Sequence, residues 1–212
     1  MRITVFGAAG NVGRRVVDEA IARGHEVTAV VRDRARFAEL HSAATARTGD
    51  AANVEDIAEL SAGQDLVISA TRPPAGSEGD LVTVTKALLA GLTGTGVRVL
   101  VVGGAATLTL PGGGGATVVD GPDFPAAWRP IADACTEQLA VCRAETEVDW
   151  AYLSPAALLE PGERTGTYRL GADELLVDDQ GVSAISMEDF AVALLDEAEE
   201  PRHHRTRFTV AY

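Results

Sequence analysis

From residue 7 the chain reads Gly7-Ala8-Ala9-Gly10-Asn11-Val12-Gly13, three glycines spaced by three, directly after the apolar run Arg2–Phe6 (RITVF). The stretch that follows, Asn11–Arg23, sets Val12, Val16, Ala20 and Ile21 on one side of a helix, and Gly24 suits its end. A strand that leaves through a G-x-x-G-x-x-G turn into a helix is the opening of a βαβ unit. Each glycine has a physical task. Gly7 permits the tight turn out of the strand. Gly10 lets backbone approach a bound group with no Cβ in the way, and Gly13 lets the helix lie close to the strand. The free N–H groups and partial positive charge at the helix start favour an anion there, most simply a diphosphate.

The rest of the chain continues the alternation. Strands are expected at Glu26–Val31, Ala44–Thr48, Asp65–Ala70, Val97–Val102, Asp149–Leu153 and Arg207–Ala211. Helices are expected at Asp33 to about Leu40, Val54–Ser61 behind an Asn53 cap, Leu81–Thr93, Pro130–Glu145 and Met187–Glu199. Glu188 and Asp189 suit the first turn of the last helix. Alternation of this kind implies parallel pairing through right-handed crossovers. The expected fold is α/β, a three-layer doubly wound Rossmann fold with a mostly parallel sheet and a small C-terminal substrate-side subdomain. Residues 1–212 are read as one NAD(P)-binding domain, with 154–185 an irregular insertion on the substrate side. Ligands of such sheets sit beyond the carboxyl ends of the strands, here after Phe6, Val31, Ala70, Val102 and Leu153.

Two segments break the pattern. Gly103–Pro130 is rich in Gly and Pro, and loops longer than about 12–15 residues are usually functional or disordered; it reads as a flexible flap over a cleft. Ser154–Ile185 holds strand-like pieces at Gly166–Leu170 and Glu174–Val177.

The formal net charge of −13 argues against nucleic acid or an anionic membrane surface as partner. No secretory leader is read at the N-terminus, and no apolar run approaches the roughly 18–20 residues of a membrane span; a cytoplasmic location is expected. Cys135 and Cys142 are seven apart in one helical stretch, too far for a disulfide, and read as small buried hydrophobes. No Cys, His and carboxylate set has metal-ligand spacing, so no metal is expected. The acidic runs Asp178-Asp179 and Glu197–Glu200 read as solvated surface.

In a chain this acidic, local cations carry information. The second strand ends Val30-Val31-Arg32, where NAD sites commonly place a carboxylate for the ribose 2′-hydroxyl. A guanidinium at that point can pair with a 2′-phosphate, which favours NADP(H). Asp33 could hold a 2′-hydroxyl instead and keeps NAD(H) open. Arg34 and Arg36 read as solvated helix face. Asp50 is placed to meet the adenine edge or to start a turn. Ala70 and Thr71 lie along the ribose and diphosphate path, with Arg72 able to add charge, and Gly103 onward passes under the nicotinamide ribose.

The opening RITVFGAAGNVGRRVVDEAIARGHEVTAVVRD resembles the atypical short-chain dehydrogenases of the NAD(P)H-binding, NmrA-like group. The stretch Ser154-Pro155, Gly162–Gly166 and Ile185–Ala191 resembles the NADH–flavin reductase subgroup, similar to biliverdin reductase B. The resemblance implies cofactor contacts from Gly7, Gly10, Asn11, Val12 and Arg32, with Ala9 in the same turn, and places Ser154 and Pro155 near the nicotinamide. Asp189 is expected to fix the final helix and not to react.

One absence shapes the chemistry. Ketone-reducing dehydrogenases use a Tyr-x-x-x-Lys pair, and none of Tyr152, Tyr168 and Tyr212 is followed by such a Lys. Hydride transfer to a flavin or a similar flat, tetrapyrrole-like acceptor needs mainly positioning. Thr107 is read either as a catalytic hydrogen-bonding group on that acceptor or as plain loop. Phe124 and Trp128 are candidate acceptor contacts, with Trp128 equally suited to packing at a helix cap. The leading expectation is an NAD(P)H-dependent reductase of a flavin or other flat conjugated acceptor. The alternatives are an NADP(H)-sensing regulatory module of NmrA type that does no chemistry, and a sugar-nucleotide epimerase or ketone reductase.

Overall fold

Short runs of β-branched and aliphatic residues, with no polar side to spare, can only be strands covered on both faces. A computed structural model describes residues 1–212. In chain order its elements are β1 (Arg2–Phe6), α1 (Asn11–Ala22), β2 (Glu26–Val31), β3 (Thr45–Thr48), α2 (Val54–Ser61), β4 (Leu66–Ser69), α3 (Asp80–Leu92), β5 (Arg98–Val102), α4 (Arg129–Ala144), β6 (Trp150–Ser154), β7 (Leu158–Glu160), β8 (Arg169–Gly171), β9 (Ala184–Ser186), α5 (Met187–Glu199) and β10 (Thr206–Ala211). The large sheet runs β3-β2-β1-β4-β5-β6-β10-β8. Every pair in it is parallel except β10 with β8. The expected doubly wound Rossmann fold is therefore present. Strand order reverses at β1, which pairs with β2 on one side (Val5↔Ala29) and β4 on the other (Val5↔Ile68).

The two faces carry separate cores. Ile3, Val5, Val16, Phe190 and Leu194 bring α1 and α5 onto one face. Phe6, Ile57, Leu88, Leu139 and Trp150 bring α2, α3 and α4 onto the other. Side chains alternate across each strand, so Trp150 and Tyr152 of β6 face the α4 side while Ala151 and Leu153 face α1 and α5.

Several expectations need correction. The segment after Asp33 is a 3-10 helix, Arg34–Glu39, capped by the Asp33 carboxylate, which accepts from Ala35 N at 2.8 Å. β6 continues through Ser154 instead of stopping at Leu153. Of the strand-like pieces in 154–185, one becomes the edge strand β8, while Glu174 makes only an isolated bridge to Thr109. The parallel pair β7–β9 has no counterpart in the pattern, because three-residue strands show no periodicity to read. Glu197 is no surface carboxylate. It is buried at 5% exposure, 2.6 Å from Arg98 and 2.7 Å from His203. Burial alone would raise its pKa, but Arg98 and His203 outweigh burial and hold it low.

The segment 103–130 is pinned rather than free. Val118 N donates to Leu108 O at 2.9 Å, Thr109 N to Asp173 O at 2.8 Å and Leu175 N to Thr109 O at 2.8 Å. Two 3-10 turns, Val118–Asp120 and Ala126–Trp128, lead it into α4.

Candidate functional site

The β1–α1 turn sits at the strand-order reversal. Gly7 has φ +77°, and a Cβ there would lie 2.5 Å from the Ala70 carbonyl oxygen at the end of β4. A Cβ on Gly13 would collide with the Gly7 carbonyl. Both positions therefore demand glycine, one for its backbone angle as well as its space, the other for space alone. Gly10 is the N-cap of α1, and no side chain caps that helix. Its first N–H groups thus face the turn without a protein acceptor, a ready site for a diphosphate. The glycine cradle and the uncapped helix start fit a dinucleotide.

The residues expected to meet a cofactor have differing surroundings. Asn11 is exposed and Ala9 and Val12 are half-buried. Arg32, just past β2, is exposed and takes part in none of the ion pairs of the molecule. Arg36 lies on an exposed helix face as expected, and there its guanidinium also donates to Ala9 O at 2.9 Å and pairs with Glu39 at 2.7 Å. Asp50 opens a turn, with one carboxylate oxygen accepting from Ala52 N at 2.9 Å. Ala70 is buried, and the Thr71 hydroxyl lies 3.2 Å from that of Ser69. Gly103 N donates to Leu153 O at 2.9 Å, just past β5. Ser154 is fully buried, and its Oγ has no partner, while its carbonyl accepts from Thr209 Oγ1 at 3.0 Å. Pro155 is buried beside it.

On the acceptor side, Phe124 is half-buried beneath the Arg129 guanidinium, 5.6 Å from its ring centre. Trp128 is 53% exposed and occupies the N-cap position of α4. The Thr107 hydroxyl accepts from Arg207 at 2.7 Å. Tyr152, the phenol nearest this region, is buried in β6. Its oxygen accepts from Gly104 N at 3.1 Å and faces Gln138 Oε1 at 3.1 Å. Burial drives its pKa well above the ordinary range, and its contacts with Gly104, Cys135 and Gln138 pin the start of the 103–130 segment to α4. Cys135 is likewise pushed up by burial, to about 11, which leaves an inert thiol. No three His, Cys, Asp or Glu side chains come together as metal ligands. No helix is long and apolar enough to cross a membrane.

Sequence reasoning passed over Arg207 and Asp173. A signal existed for the first: an arginine in the apolar run RFTVA, with Phe208 and Val210 facing α5, must place its cation on the α4 side of the sheet.

A parallel Rossmann sheet with a glycine cradle at its switch point defines an NAD(P)-binding, oxidoreductase-like protein. A family model described as NAD(P)H-binding matches residues 7–198, and the chain belongs to that family. The chain is 37% identical over 212 residues to the uncharacterized protein YwnB of Bacillus subtilis, covering 99% of this chain and 98% of the relative. Its structure is similar to that of a protein from Bacteroides thetaiotaomicron provisionally named an epimerase (38% identity, TM-score 0.90, 100% and 96% of the two chains). It is also similar to a protein from Streptococcus pneumoniae provisionally named an NADH-flavin reductase (32% identity, TM-score 0.84, 100% and 99%). These neighbours agree with the resemblance to NmrA-like atypical short-chain dehydrogenases.

Proposed function

We propose that this protein is an NAD(P)H-dependent reductase, preferring NADPH, that passes hydride to a flavin or a similar flat conjugated acceptor. The observation that carries the reading is a dinucleotide cradle with no acidic phenol or lysine at its reacting end. Tyr152 is sealed in the sheet, and Lys86 lies exposed on α3. When bound, the dihydronicotinamide supplies the hydride. The chain's own part is to bind and orient. The α1 N–H groups hold the diphosphate, and Arg32 faces the 2′-phosphate. Ala9, Asn11 and Val12 line the turn, Asp50 meets the adenine, Ala70 and Thr71 lie along the ribose and diphosphate path, and Gly103 lies under the nicotinamide ribose, whereas Ser154 and Pro155, both buried, offer the nicotinamide no surface. Phe124 and Trp128 offer aromatic faces to the acceptor. An acceptor that draws its proton from solvent needs no protein acid. The name of the Streptococcus relative supports this reading.

The Bacteroides relative's name favours a second reading, an epimerase, but the buried Tyr152, bonded to Gln138, is closed to a sugar substrate. Calorimetric titration with NADPH and NADH, followed by NADPH oxidation with FMN, riboflavin or biliverdin, separates the readings. Tight NADPH binding and turnover of a flat acceptor are expected. Nucleotide binding with no oxidation by any of these acceptors would overturn the reductase proposal.

A further inference from the structure

Arg207 is a buried cation on the last strand, its side chain 3% exposed, far along the chain from every motif of the nucleotide site. Its three nitrogens are divided between two segments. Nε donates to the Asp173 carboxylate at 2.8 Å, with Nη2 on the same oxygen, and Nη1 donates to Thr107 Oγ1 at 2.7 Å. Asp173 in turn accepts from Arg143 of α4 at 3.2 Å, and its carbonyl accepts from Thr109 N at 2.8 Å. The guanidinium is thus held by its fork, and Thr107 is held by the guanidinium.

The donor inventory then decides what Thr107 can do. Arginine has five N–H donors and no acceptor. Thr107 spends a lone pair on Arg207, so its O–H hydrogen cannot return along that bond, and no other protein group accepts it. Thr107 stands four residues past Gly103, half-buried, at the carboxyl end of the sheet where ligands of this fold lie. Arg207, Thr209, Tyr152 and Ser154 share the α4 face of adjacent strands, in register at Arg207↔Tyr152 and Thr209↔Ser154.

We infer that Arg207 is a positioning residue for the reaction: by taking the Thr107 lone pair it fixes that hydroxyl as a hydrogen-bond donor to the hydride acceptor. This inference rests on the reductase reading. A hydride, one proton with two electrons, would pass from the bound dihydronicotinamide to the acceptor, and the second proton would come from solvent. The acceptor gains negative charge as the hydride arrives, and a pre-aimed O–H stabilises that charge without reorganising.

The test compares wild type, Thr107→Val, Arg207→Met, Arg207→Lys and the double variant Thr107→Val/Arg207→Met. Turnover is measured with NADPH and FMN, and the carbonyl stretches of FMN bound to the NADP⁺-loaded protein are read by vibrational spectroscopy. Thr107→Val and Arg207→Met should each lower kcat by about 10- to 100-fold with little change in KM for FMN. Both should abolish the carbonyl shift that wild type imposes. Arg207→Lys should lose less than Arg207→Met. The double variant should be no slower than Thr107→Val alone, because Arg207 acts through Thr107. Losses that multiply in the double variant, or an Arg207→Met protein with the wild-type kcat and carbonyl shift, would overturn the inference. If Arg207→Met does not fold, Arg207→Lys made in the wild type and again in the Thr107→Val variant carries the same comparison. A wild type that binds nucleotide but reduces no flat acceptor refutes the reductase reading and this inference with it. An active wild type indifferent to Arg207 refutes this inference alone.

Discussion

Arg32 and Arg36 are four residues apart, and the fold gives them opposite surroundings. Arg36 is consumed by Ala9 O and Glu39, whereas Arg32 keeps its guanidinium free at the end of β2. Only the free one can meet an added phosphate without breaking a bond already made. Arg32→Ala is therefore expected to weaken NADPH by about tenfold or more, the equivalent of about 1.5 kcal/mol for one charge-assisted hydrogen bond. NADH affinity should change little. Calorimetry on the two nucleotides decides it, and equal weakening of both removes Arg32 from the 2′-phosphate. At this scale, residue type and position past a strand end single out Arg32 as the candidate. They do not show that Arg36 is engaged, because the Ala9 carbonyl it donates to comes from a segment 27 residues away.

At the scale of the element, α5 shows how a helix start becomes a junction. Ser186 caps it, its Oγ accepting from Asp189 N at 2.9 Å. The Asp189 carboxylate then accepts from Thr165 Oγ1 at 2.6 Å, Gly166 N at 2.7 Å and Tyr212 Oη at 2.8 Å. One buried carboxylate ties the 162–168 turn, α5 and the chain end together, a structural duty in line with the reading of Asp189 from sequence. Ser186→Ala should cost about 1–2 kcal/mol through the lost cap, and lower Tm by about 2–8 °C for a chain of this size. Nucleotide affinity should be unchanged. Paired thermal melts and titrations check both halves, and a loss of affinity would place α5 closer to the site than the structure does. The elements with the best sequence signals have the expected bounds: β1, β2, α2 and α5 agree residue for residue, because their apolar pattern and the Asn53 cap act within one or two turns of chain. β7 and β9 carry no such local signal.

For the whole molecule, charge couples stability to pH. Glu19 is held below its ordinary pKa first by Arg164 and then by Arg23, despite burial. Burial would raise Asp189 and Glu188, but the donors around them prevail and both lie low. Glu197 behaves in the same way. A carboxylate whose folded pKa is depressed contributes stability above its unfolded pKa, here 4.5 for Glu and 3.8 for Asp. That contribution is lost as pH falls through the folded value. The urea midpoint should therefore change little through this effect above about pH 5 and fall steadily below about pH 4. A midpoint that holds level to about pH 3 would show that these networks add no net stability.

The sequence by itself determined the alternation of strand and helix, the glycine turn that a diphosphate fits, the missing Tyr-x-x-x-Lys pair and the cation past β2. All of these are written in residues that lie close together or in the composition of one short run. Tertiary structure alone decided that Glu197 and Arg98 are buried together, that Ser154 is sealed, that β7 finds β9, and that Arg207 reaches Thr107 a hundred residues away. Those facts depend on which distant segments the packed sheet brings into register, and no local periodicity encodes that choice.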